Sequence, residues 1–94
     1  MEEKVLLKLF VAGKTDRSKK AIAGITVVFD ACLKDKGTLE IIDVLKKPHM
    51  AAEENVLATP TLIRVLPEPV RRLIGDFSDG RRAFDLLALT EEAP

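Results

Sequence analysis

The sequence has almost no cysteine and few aromatic side chains. Its 94 residues include one cysteine, Cys32, four phenylalanines, and neither tryptophan nor tyrosine. A single cysteine excludes an intramolecular disulfide and favours a reducing compartment, so we expect a cytoplasmic protein. It also excludes dithiol exchange within the chain. With one histidine, His49, the sequence has no cysteine and histidine cluster that could bind a metal ion.

The chain also lacks net charge, because 15 basic and 15 acidic side chains cancel. Without net positive charge or tyrosine and tryptophan for base stacking, its basic pairs predict solvated surface or a charged protein interface, not nucleic-acid binding. The longest apolar region, residues 21–33, contains Asp30 and is too short to span a bilayer. The N-terminus lacks a signal-peptide pattern, and we therefore predict no membrane association.

A chain of 94 residues is shorter than an average domain, which predicts one domain over residues 1–94, and its hydrophobic content of 47% argues against disorder. The apolar run at residues 4–12 predicts a strand that is buried on both faces. The next segment predicts an amphipathic helix, capped by Asp16 or Ser18, that ends before Gly37 and is slightly weakened by Gly24. Residues 38–45 predict a second strand, parallel to the first, which completes a βαβ unit of an α/β fold.

The second half of the chain is harder to interpret. Residues 49–57 predict a short helix, and residues 59–63 predict a third strand. Residues 66–77 match either a helix that begins after a proline or an edge strand. Residues 80–89 match either a helix capped by Ser78 or Asp79, or a strand.

Gly13-Lys14-Thr15 lies between a strand and a helix, as in a phosphate-binding loop, but Lys8 stands where that loop needs glycine. We therefore predict no nucleotide site and no cofactor. The βαβ unit followed by Thr59-Pro60 resembles the thioredoxin layout, in which the proline is typically cis. Because the chain lacks a Cys-x-x-Cys pair, the resemblance indicates a thioredoxin-like scaffold without its redox chemistry.

Three stretches together resemble the KaiB family of circadian clock proteins: LLKLFVAG at 6–13, IIDVLKKP at 41–48 and LATPTLIRVLPEPVRRLIGDFSD at 57–79. The resemblance implies a non-enzymatic regulator that binds a KaiC-type ATPase, recruits KaiA and displaces a sensor kinase with a KaiB-like domain. It also implies two folds, a βαβαββα thioredoxin-like monomer that binds KaiC and a βαββααβ tetramer. The two folds share the N-terminal half and differ in the C-terminal half.

The resemblance also indicates partner-binding residues. Arg64, Arg71 and Arg72 match cationic positions of the family, and we expect them to contribute to the ATPase-facing surface. Glu40 stands where clock members carry lysine on the strand edge that meets KaiA, and this charge reversal argues against KaiA as a partner. The alternative function is a redox-inactive, thioredoxin-like adaptor for a signalling kinase or a stress response.

Pro60, Leu86 and Ala88 are expected to determine which of the two folds dominates. In the thioredoxin-like form, the Thr59–Pro60 bond should be cis. Leu86 and Ala88 stand where clock members have glycine and aspartate, and leucine and alanine favour a helix. We therefore predict mainly the thioredoxin-like βαβαββα fold, with residues 80–89 helical, and self-association to a tetramer only in the alternative fold.

Overall fold

The computed structural model describes residues 4–87 and residue 89. The order of elements, βαβαββα, confirms the prediction of a thioredoxin-like fold and differs from the alternative βαββααβ order. The elements are β1 (Val5–Val11), α1 (Asp16–Leu33), β2 (Gly37–Asp43), α2 (Pro48–Glu53), β3 (Thr61–Leu66), β4 (Arg71–Ile74) and α3 (Gly80–Leu86).

The four strands form one sheet in the order β2-β1-β3-β4. β1 and β2 are parallel, with Leu9 opposite Ile41, which confirms the predicted βαβ unit. β3 runs antiparallel to β1, and β4 runs antiparallel to β3. Within the described residues β4 therefore pairs on one side alone and forms an edge of the sheet, so the edge-strand interpretation of residues 66–77 is confirmed.

Helices cover the two faces of the sheet unequally. On one face, buried residues of α1 and α3, such as Ile25 and Phe84, pack in the same cluster as Leu7 and Leu9 of β1. On the other face, a smaller cluster contains Phe10 of β1, with Ile42 and Ile63, and partly buried residues in and after α2. β1 is thus buried on both faces, as its continuous apolar sequence predicted.

The N-cap of α1 differs from the expectation of Asp16 or Ser18. Thr15 has extended backbone angles and is the cap, because its hydroxyl oxygen accepts the Ser18 N–H at 3.1 Å. Ser18 is buried, and its hydroxyl donates to the Ala12 carbonyl oxygen at 3.2 Å. No described helix is long and apolar enough to cross a membrane.

The C-terminal helix confirms the helical interpretation over residues 80–86. α3 begins at Gly80, where the Asp79 carboxylate accepts the Arg82 N–H at 3.2 Å and so provides one of the two predicted caps. It ends at Leu86, three residues earlier than expected. Ala88 lies outside the described residues.

Candidate protein-binding site at the β4 edge

The outer edge of β4 has unpaired backbone groups. Leu73 lies opposite Leu62 of β3, and the Gly75 N–H donates to the Pro60 carbonyl oxygen at 3.4 Å. Hydrogen-bonded and non-hydrogen-bonded pairs alternate along antiparallel strands, so the N–H and C=O groups of Arg72 and Ile74 point away from β3. No hydrogen bond within residues 4–87 and 89 uses these outward groups.

A cleft lies beside this edge, between β4 and α3. It has a volume of about 160 Å³, and its apolar wall includes Leu73, Ile74 and Leu86, while Arg82 adds a cation. Ile74 is 61% exposed and Leu86 is 55% exposed. Leu86, predicted for its effect on the choice of fold, therefore also contributes an apolar side chain to an open surface.

Arg64 lies on β3, opposite Arg71 of β4. The sequence predicts Arg64 on a binding surface, but its side chain is buried. Its guanidinium group bonds to two backbone carbonyl oxygens instead of facing solvent. The group donates to Leu87 at 2.6 Å, just after α3, and to Pro69 at 3.0 Å, just before β4. Burial and the nearby charge of Arg71 lower the pKa of Arg64. Arg64 thus positions two walls of the site, and a direct role in binding stays a prediction.

Arg71 and Arg72 are both exposed, but they project from opposite faces of β4 because side chains alternate along a strand. Arg71 pairs through its backbone with Arg64 of β3, but its side chain makes no hydrogen bond within the described part of the chain. Arg72 donates to the backbone carbonyl oxygens of Glu54 and Asn55, and so fixes the loop between α2 and β3 beside β4. The Glu54 carboxylate pairs with the Lys8 ammonium group at 3.2 Å.

Pro60 lies at the start of β3, next to the end of β4. The Thr59–Pro60 bond is cis, as predicted, and the bonds before Pro67 and Pro69 are cis as well. Pro60 is buried, and its carbonyl oxygen accepts the bond from Gly75 described above. Of the three residues expected to determine the fold, Pro60 and Leu86 thus lie near the candidate site.

The two ends of the β4 edge carry opposite charge. Arg71 and Arg72 begin the strand, whereas Asp76 and Asp79 follow it. Aspartates are ionised at neutral pH. The pKa of Asp76 is lowered further, because the Ser78 backbone N–H and hydroxyl both donate to its carboxylate. The edge is therefore basic at its start and acidic beyond its end.

The sequence interpretation missed Leu73, Ile74 and Arg82 as site residues. Residues 71–74 are two charged residues followed by two apolar ones, and so short a pattern fits a helix as well as a strand. Arg82 belongs to the basic pair Arg81-Arg82, which by itself predicts only solvated surface or a charged protein interface. Across the described residues, no group of three or more histidine, cysteine, aspartate or glutamate side chains could hold a metal ion. The arrangement is suited to binding a protein.

Sequence comparisons find related proteins over most of this chain. The family model described as "KaiB domain" matches residues 8–88. A circadian clock oscillator protein KaiB from Prochlorococcus marinus is 48% identical over 79 residues, which cover 84% of this chain and 68% of that protein. The protein of the same name from another strain of this species, MIT 9312, is 44% identical over 93 residues, covering 92% of this chain and 89% of that protein.

Solved structures share the fold at much lower sequence identity. The N-terminal domain of Synechococcus elongatus SasA is 21% identical and has a TM-score of 0.72, covering 100% of this chain and 92% of that chain. Malassezia sympodialis thioredoxin is 19% identical and has a TM-score of 0.74, covering 93% of this chain and 75% of that chain. These structures confirm the thioredoxin-like fold.

Proposed function

This chain belongs to the KaiB family, and from that premise we propose that it is a non-enzymatic regulator that binds a KaiC-type ATPase through its thioredoxin-like form. The family match covers both the N-terminal half and most of the C-terminal half. It supports a role in a circadian clock or a related timing system. The observation that carries the proposal is the exposed β4 edge with Arg71 and Arg72, which exists in the thioredoxin-like arrangement of β4 and α3.

Binding, rather than redox chemistry, is the activity that this chain can perform on a thioredoxin-like scaffold. Dithiol exchange needs one thiolate to attack and a second thiol to resolve the mixed disulfide. The chain has one cysteine, Cys32, which packs partly buried against the main hydrophobic cluster. The similarity to thioredoxins therefore concerns the fold alone and does not imply dithiol exchange.

The charges of the site act mainly on the rate of association. Exposed cations at the edge of an interface attract an acidic partner over a distance, and salt screens this attraction. Arg71 and Arg72 are placed for this role because both are exposed at the start of β4. Arg64 keeps α3 and the turn before β4 in place, and the surface is thereby formed before the partner arrives.

Binding kinetics with a purified KaiC-type ATPase test the proposal. We expect Arg71→Glu together with Arg72→Glu to slow association on the order of tenfold at low salt, with a smaller effect at high salt. Arg71→Glu alone should show part of this effect without breaking any hydrogen bond. Arg64 stays unchanged in these variants, because its guanidinium group holds α3.

The matched control is Lys19→Glu with Lys34→Glu, which makes the same charge change on exposed positions of α1 and just after it. This control should bind at close to the unmodified rate. Equal association rates for the β4 variant and the α1 variant would overturn the assignment of the surface. Absence of any binding to the ATPase would overturn the proposed function and favour the adaptor alternative.

We also propose that the opposite edge of the sheet does not recruit KaiA. Glu40 is exposed on β2 and lies opposite Lys8 of β1. A carboxylate here reverses the charge that the family carries at the KaiA-facing edge. In a co-purification with KaiA, Glu40→Lys should increase KaiA capture, and strong capture by the unmodified chain would contradict this proposal.

A further inference from the structure

We propose that β4 binds its partner by strand addition. An extended segment of the partner, acidic where it meets Arg71 and Arg72 and apolar where it crosses the cleft, pairs with the free edge of β4. This inference rests on the proposed function, because the segment belongs to the bound ATPase. It specifies how the site recognises its partner, and it is tested separately below.

The backbone supplies the first part of the argument. The N–H and C=O groups of Arg72 and Ile74 point outward and have no partner among the described residues. An incoming strand can satisfy these groups in the pattern of a further antiparallel or parallel pair. Since β4 has four residues, the added pairing is short, and side chains must supply the specificity.

The charges limit which strand can be added. Arg71 and Arg72 project from opposite faces of the edge, so acidic residues on either face of the added strand meet a cation. A second copy of β4 would place Arg72 opposite Ile74 in one antiparallel register and opposite another Arg72 in the next, so β4 offers its own arginines no acidic partner. Charged edges of this kind oppose self-pairing. Asp76 repels acidic residues at the other end. The edge therefore selects a segment that is acidic at one end.

The cleft supplies an apolar anchor point. Ile74 and Leu86 line the cleft together with Leu73 and Ala83, and each of the first two residues is more than half exposed to solvent overall. A volume of about 160 Å³ is close to that of an engineered cavity that holds benzene, so one aliphatic side chain of the added strand fits. Arg82 lines the same cleft beside Asp76 and Asp79, so its charge offsets only part of theirs.

Substitution of Ile74 tests the backbone contribution. Ile74→Pro removes an outward N–H, at an edge position where proline is tolerated, whereas Ile74→Ala removes most of the side chain and keeps the N–H. We expect Ile74→Pro to weaken binding to the ATPase at least tenfold more than Ile74→Ala. Should Ile74→Pro fail to fold, amide exchange of the unmodified chain decides, with the Arg72 and Ile74 amides protected in the complex.

The failure of this inference is distinguishable from failure of the proposed function. If the ATPase binds and Arg71→Glu with Arg72→Glu slows it, but the Arg72 and Ile74 amides stay unprotected, strand addition is overturned and the proposed function stands. If the ATPase does not bind, an extended peptide with glutamates at one end and valines at the other is the probe, with glutamine in place of glutamate as its control. Protection of both amides by the acidic peptide alone supports the inference, and no protection overturns it.

Discussion

Gly24 of α1 and Gly80 of α3 meet backbone against backbone. A Cβ atom at Gly80 would overlap the carbonyl group of Gly24, and one at Gly24 would overlap the carbonyl oxygens of Phe77 and Ser78. The first turn of α3 and the loop before it can approach α1 this closely because neither glycine has a side chain. Gly24 is therefore a packing residue of the thioredoxin-like form, and not only a weak position in a helix.

Gly24→Ala is expected to destabilise the protein. Alanine favours a helix over glycine by about 1 kcal/mol, but the overlap with the 77–78 backbone should cost more, since overpacking costs about 1–3 kcal/mol. Urea denaturation should show a lower free energy of unfolding than that of the unmodified chain. The control is Ala31→Gly, at an exposed position of the same helix, which measures the difference in helix propensity between alanine and glycine without a packing contact. A Gly24→Ala protein that is about 1 kcal/mol more stable would show that α3 does not pack against Gly24.

Arg64→Ala is expected to loosen the end of α3. The substitution removes both hydrogen bonds that the guanidinium group donates, to Leu87 and to Pro69. Bonds that involve a charged group contribute about 1.5–3 kcal/mol each. We expect faster hydrogen exchange at the Leu87 and Leu89 amides, and a smaller effect for Arg64→Lys, whose single ammonium group can keep one bond. Unchanged exchange in both variants would contradict the positioning role.

Asp43 is expected to make stability sensitive to acid. Its pKa is lowered because the backbone N–H groups of Gly13 and Leu45 donate to its carboxylate, each at 3.0 Å. A group whose pKa is lower in the folded state contributes stability above its unfolded pKa, and this contribution is lost as the pH falls through the folded value.

We therefore expect the free energy of unfolding of Asp43→Asn to fall less steeply with decreasing pH than that of the unmodified chain. Denaturation from neutral pH down to about pH 2.5, below the ordinary aspartate range, measures this difference. Asp30→Asn removes the same charge from the exposed face of α1 and serves as the control. If Asp43→Asn loses stability with acid as steeply as the unmodified chain, the carboxylate bonds do not stabilise this loop.

Leu86→Gly with Ala88→Asp is expected to shift the protein towards the alternative fold. Glycine in a helix costs about 1 kcal/mol relative to alanine, and two folds that differ by a few kcal/mol respond to such changes. NMR chemical shifts should then report strand across residues 84–89, and the solution mass should rise. Leu86→Ala keeps the helix propensity and should leave the fold unchanged. A double variant that stays helical over 80–86 and monomeric would contradict this.

The N-terminal half of the fold could be predicted from the sequence because its patterns are local. The continuous apolar run of β1 and the periodic face of α1 each fit one structure. β4 could not be assigned in this way, since Leu73 and Ile74 fit a helix as well as a strand. Pairing with β3, which the pattern of residues 71–74 alone does not reveal, decides between them. The resemblance to the KaiB family implied two arrangements of the C-terminal half, and the helix propensity of Leu86 and Ala88 favoured the thioredoxin-like one.

The candidate site was predicted in part. Arg71 and Arg72 lie exposed on β4, but their role in binding stays a prediction. The burial of Arg64 could not be foreseen, because arginine is rarely buried and its two carbonyl partners come from separate segments of the chain. The packing role of Gly24 could not be predicted for a similar reason, since it depends on a contact with residues more than fifty positions away.

The central claim is that the thioredoxin-like form, with its β4 edge exposed, is the form that binds a KaiC-type ATPase. NMR of the labelled chain, recorded alone and with the unlabelled ATPase, tests this claim most directly. We expect helical chemical shifts over residues 80–86 in both states and the largest changes on binding at residues 71–74. Strand shifts across residues 84–87 in the bound state, or changes confined to the exposed face of α1, would contradict it.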